Sequence, residues 1–193
     1  MSSMLDSVLD RIGDNDIADL SRAVGADKDA TRNALGAALP TILAALARNS
    51  SKPEGAAALE SALARDHDGG LLDNLSDFIG KGDSGPGESI LKHVLGDRRA
   101  AVETGVGKSS GIDPAQAARL MAMAAPIVMA VLGKQRRQKQ LDAGALGEML
   151  QSQNRDLQAR APQLGGLARL LDADGDGSIV DDIAGGFGKL FGR

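Results

Sequence analysis

The sequence predicts an all-α, multihelical protein made of two copies of one helical unit in a pseudo-two-fold relation, each copy closed by an aspartate-glycine loop. Two observations carry this expectation. The first is the texture of the apolar residues: of 193 residues 42 % are hydrophobic, yet there is no Trp, no Tyr and only three Phe. A core of Ala, Leu, Val, Ile and Met suits close helix packing more than a pleated sheet. The second is repetition. Residues 4–46 realign without a gap on residues 90–132 at a shift of 86, the separation of Pro40 and Pro126. Met4, Leu5, Val8 and Leu9 fall on Ile90, Leu91, Val94 and Leu95, and Gly25 falls on Gly111. The match resumes at a shift of 108, where Asp66, Asp68, Gly69, Asp73 and Leu75 meet Asp174, Asp176, Gly177, Asp181 and Ile183. Self-similarity of this kind marks a duplicated supersecondary unit.

Taken in order, Met4, Leu5, Val8, Leu9 and Ile12 mark one face of a first helix, stopped at Gly13-Asp14-Asn15-Asp16. Residues 17–24 form a short second helix ended by Gly25, and Asp27 caps a third that runs to about Arg48. Pro53 follows a serine-rich turn, after which residues 54–64 are Ala-rich and helical. Asp66-His67-Asp68-Gly69-Gly70 breaks that helix and residues 71–79 begin another. The order then repeats, with Asp113-Pro114 as cap and first residue of the second long helix. The units expected are therefore residues 1–80, a Gly/Pro/Ser linker at 81–87, and residues 88–193. The second unit carries an insertion near 151–166, expected to be flexible, and ends in an Asp-rich loop and a final helix.

Residues 34–47 and 120–133 have almost no polar face, which places both long helices in the core. Each carries a proline, Pro40 or Pro126, which removes one helical hydrogen bond and predicts a kink. The apolar runs are 14 residues, short of the roughly 20 that span a bilayer, so no membrane span is expected. A formal charge of −4 gives no global attraction to nucleic acid or anionic lipid, and zero Cys fits a reducing compartment. The N-terminal stretch lacks the basic-then-apolar pattern of an export signal, so the expected location is cytoplasmic.

The most specific chemistry lies near the C-terminus. Asp172, Asp174 and Asp176, followed by Gly177, match positions 1, 3, 5 and 6 of an EF-hand calcium loop, with Ser178 offering its carbonyl. Hard oxygen donors select calcium or magnesium over zinc. Position 12 is Ile183 rather than Glu, so the closing carboxylate must come from Asp181 or Asp182. The competing expectation is a plain turn, with those last carboxylates favouring the start of a helix. The first loop offers a weaker set, Asp66, Asp68 and Asp73.

Other patterns are thinner. Gly107-Lys108-Ser109 lacks the upstream glycine and strand of a phosphate loop. His67 and His93 lie far apart in sequence, and no nucleophile-base pairing is apparent, so no enzyme activity is expected. Residues 17–33 have the length pattern of a helix-turn-helix, but beyond Arg32 and Asn33 the second helix is apolar. Lys134, Arg136, Arg137 and Lys139 form a basic run that suits either phosphate contact or a helix C-terminus.

Together, Ala34-Leu35-Gly36-Ala37-Ala38-Leu39-Pro40, Asn49-Ser50-Ser51-Lys52-Pro53-Glu54-Gly55-Ala56, Arg65-Asp66-His67-Asp68-Gly69-Gly70 and Leu170-Leu171-Asp172-Ala173-Asp174-Gly175-Asp176-Gly177-Ser178 resemble the bacterial domain-of-unknown-function family 937. The resemblance implies a soluble helical bacterial protein and transfers no activity or site residues. The expectation for function is a non-enzymatic scaffold that self-associates as a homo-oligomer or binds a protein partner, with calcium at the C-terminal loop. The alternative is a nucleic-acid-associated protein using Arg32 and the basic run.

Overall fold

A computed structural model describes residues 3–160, and every secondary-structure element among them is a helix. These are α1 (Met4–Leu9), α2 (Asp14–Val24), α3 (Lys28–Asn49), α4 (Pro53–Arg65), α5 (Leu75–Lys81), α6 (Gly85–Leu95), α7 (Arg99–Ser110), α8 (Pro114–Lys139) and α9 (Ala143–Arg160). Short 3-10 turns at Gly70–Asn74 and Gly96–Arg98 lead into α5 and α7.

Local chemistry sets the boundaries. Gly25 and Gly111 end α2 and α7 in the left-handed region, with φ of 74° and 76°, where a side chain would be strained. Asp27 then accepts a hydrogen bond from the Ala30 amide at 2.8 Å, and Asp113 accepts one from the Gln116 amide at 2.8 Å, so α3 and α8 begin alike. Gln116 also reaches back, its Nε2 donating to the Gly25 carbonyl at 2.5 Å. α1 stops at Leu9, earlier than the apolar pattern suggested, and Ile12 is buried from the turn that follows.

α3 and α8 pack against each other at the centre. All of residues 120–133 are buried, whereas α3 leaves Gly36 exposed. α8 is long and apolar enough to cross a bilayer, and most of its apolar stretch is buried inside the protein. α6 and α7 flank α8 and α3; α4 and α9 pack on each other, α4 against α8 and α9 against α3; α5 lies on α2. A single apolar cluster runs from Met4 to Leu157 and draws on both halves of the chain.

Both long helices run unbroken through their prolines. Pro126 has no N–H to give the carbonyl of Ala122, and Gly87 of α6 settles against that oxygen. A Cβ on Gly87 would stand 1.5 Å from it. Gly85, Pro86 and Gly87, read from sequence as linker, thus form the first turn of α6. Within the expected insertion, residues 151–160 continue α9. They are held there by Gln151 Nε2, which donates to the Ala47 carbonyl at 2.6 Å, and by Gln153 Oε1, which accepts from the Met4 amide at 2.5 Å.

Candidate functional site

The end of α3, one flank of α4 and one face of α6 enclose a cleft of 940 Å³. Its walls are set by two close contacts. The turn at Ser50 and Ser51 between α3 and α4 is so tight that a Cβ on Gly55 would meet the Asn49 carbonyl oxygen at 1.9 Å. Only glycine fits there. On the other side Asn49 Nδ2 donates to the Val94 carbonyl at 2.9 Å, tying the end of α3 to the end of α6.

The floor is apolar, with Leu46, Leu59, Ala62, Ile90, Val94 and Met129 among its lining residues. The charged and titratable side chains that line it are Arg48, Lys52, Arg65, His67 and His93, and among the described residues no carboxylate does. Arg65 meets Asp66 at 2.9 Å just outside, and this contact holds the Asp66 carboxyl below the usual carboxylate range. His67 is half-buried, and that burial pushes its imidazole pKa below the ordinary value against the opposing pull of Asp66. A concave apolar site with a few convergent polar groups and a perturbed histidine is the usual form of a binding site. The cleft has the volume and the apolar floor to seat one face of a helix, and the electrostatics to favour an acidic one.

Sequence alone did not pair His67 with His93. One follows α4 and the other sits on α6, and the packing of α4 and α6 on α8 brings both to one cavity. Gly55, a glycine in an Ala-rich helix, is a local signal of the tight turn alone.

The residues singled out from sequence fall elsewhere. Asp66 pairs with Arg65, while Asp68 accepts from the Gly70 amide at 2.9 Å and faces Arg137 at 3.5 Å. Asp73 lines a separate hollow that also holds Asp10, Arg11, Asp16 and Asp77. In the basic run, Arg136 pairs with Glu60 and Arg137 with Asp68, Lys134 packs its stem near Gly69, and Lys139 is exposed. The structure therefore joins the basic run to the first Asp loop. Arg32 is held by Asp14 at 2.8 Å and Asp29 at 3.4 Å. Asp172, Asp174, Asp176, Ser178, Asp181 and Asp182 lie outside the described residues.

The family described as a bacterial protein of unknown function (DUF937) matches residues 6–135. No curated protein and no solved structure matches the chain.

Proposed function

We propose, for a chain that belongs to the family of bacterial proteins of unknown function DUF937, a non-enzymatic role as a helical scaffold. Its cleft between α3, α4 and α6 holds an apolar, acidic helix of a protein. The observation that carries this reading is the chemistry of the lining: an apolar floor under Arg48, Lys52, Arg65 and the two histidines, with no carboxylate among the described residues lining it.

Duplication explains why the occupant is a helix. α1, α2, α3 and α4 correspond to α6, α7, α8 and α9, and their neighbours correspond too. α3 touches α6, α7 and α9, and α8 touches α1, α2 and α4. Such reciprocity is what a pseudo-two-fold relation between two copies produces. Under the shift of 86, Ile90 corresponds to Met4, and α4, of 13 residues, corresponds to α9, of 18. α9 runs on to Arg160, and its Gln153 bonds the Met4 amide. One copy thus has the start of its first helix tied to α9. The other has α4 cut short at Arg65, with Ile90 only half-buried at the edge of an open cleft.

The nucleic-acid alternative lacks comparable support, since Arg136 and Arg137 already face Glu60 and Asp68. The test is fluorescence anisotropy with a designed Leu/Ala/Glu amphipathic peptide of about 18 residues, long enough to become helical on contact. The acidic peptide should bind with a salt-sensitive affinity that Leu59→Glu lowers by at least about tenfold. The Lys-for-Glu version should not bind. Equal binding of both peptides, or binding untouched by Leu59→Glu in a chain with unchanged circular dichroism, would overturn the reading.

A further inference from the structure

We infer that the helix seated in this cleft is the chain's own C-terminal stretch, residues 179–191, from the same molecule or from a second copy. This rests on the reading of the cleft as a helix-binding site. Ile179, Ile183, Phe187 and Phe191 recur every four residues, the spacing that lines up one face of a helix, and Asp174, Asp176, Asp181 and Asp182 crowd its leading end. That is the complement of an apolar floor bordered by cations. Two of the three Phe in the chain belong to this stripe. Burying them there removes from water the largest apolar side chains left without a place among the described residues. Reach is ample: from Arg160 to Ile179 the chain spans about 60 Å when extended, more than the width of a domain of this size.

The duplication offers one rival seat, and the residues argue against it. In the first copy Leu75 and Ile79 of α5 are buried, and α5 lies on α2. The same placement in the second copy would put residues 183–189 on α7. α5 is pinned by Ser76, whose Oγ donates to Asp16 Oδ1 at 2.9 Å. The corresponding residues are Ala184 and Val102, which cannot make that bond. The cleft, with no carboxylate lining it among the described residues, depends on no such bond.

The absence of cysteine allows a clean test in the full chain. Ile90→Cys with Phe187→Cys places one thiol in the cleft and one in the stripe; Ala101→Cys with Phe187→Cys places the first thiol on α7 instead. A short bismaleimide should join the first pair and not the second, read by gel mobility and peptide mass. Mixing the single variants reports whether the joined residues come from one chain or two, and either satisfies the inference. Cross-linking through position 101, or none at all, would overturn it.

One further measurement, with the peptide test, separates this from the reading beneath it. Phe187→Ser with Phe191→Ser should raise the affinity for the designed acidic peptide by about tenfold, because a tethered competitor has been removed. If the acidic peptide binds the cleft and is lost in Leu59→Glu, but positions 90 and 187 never join, the helix-binding reading stands and the tail is not its ligand. If neither occurs, both fall.

Discussion

Gly133 of α8 lies against the main chain of His67. A Cβ at Gly133 would stand 1.6 Å from the His67 carbonyl oxygen, so the loop that follows α4 is pressed onto α8. The same loop places the His67 ring at the cleft and directs Asp68 toward Arg137. One glycine in a buried helix therefore fixes the rim of the candidate site.

Gly133→Ala should destabilise the protein by about 1–3 kcal/mol, the usual cost of forcing atoms into a filled interior, despite the better helix propensity of alanine. Gly36→Ala is the control. It sits exposed in α3 with nothing within 4 Å of the added carbon, and should stabilise by about 0.5–1 kcal/mol. Urea midpoints of the two variants should move in opposite directions.

Gln140 ends α8 with φ of 50° and ψ of 44°, the only positive φ among the described non-glycine residues. Left-handed backbone costs such a residue roughly 1 kcal/mol. Gln140→Gly should raise the melting temperature, and a fall would mean that the side chain makes a compensating contact.

Much of this arrangement was legible in the sequence. The all-helical class, the buried run 120–133 and the caps at Asp27 and Asp113 follow from composition, a missing polar face and residues that satisfy helix ends. α9 was harder, because residues 151–160 carry few apolar side chains and read as polar insertion. Their helix is held by Gln151 and Gln153, which bond backbone groups over a hundred residues away. The opening turn of α6 was hidden for the opposite reason. Gly-Pro-Gly looks like a linker until Pro126 leaves the Ala122 carbonyl for Gly87 to pack against. The cleft depends on how α4 and α6 pack on α8, and no local pattern records that.

Asp27→Ala and Asp113→Ala each remove a cap whose oxygen accepts an amide at 2.8 Å. Each should cost about 1 kcal/mol. Gln116→Ala should add to the damage at α8, since that side chain also holds the Gly25 carbonyl. Chemical denaturation of the three variants measures these costs.

Burial disfavours the protonated imidazole of His67, so the unfolded chain binds the extra proton more readily than the folded one. Stability should be fully present above the ordinary histidine value of 6.5 and should fall as pH drops below it toward the depressed folded value. Urea midpoints between about pH 5 and 7.5 should show this slope in the parent chain and a shallower one in His67→Gln.

The chain's two histidines both line the cleft, so its imidazole proton resonances report on that site without background. Titrating the designed acidic helix while recording them tests helix binding there most directly. Both resonances should shift and saturate at one peptide per chain, and neither should move in Leu59→Glu. Peptide that binds while both resonances stay fixed would place the interaction elsewhere and contradict the proposed role of the cleft.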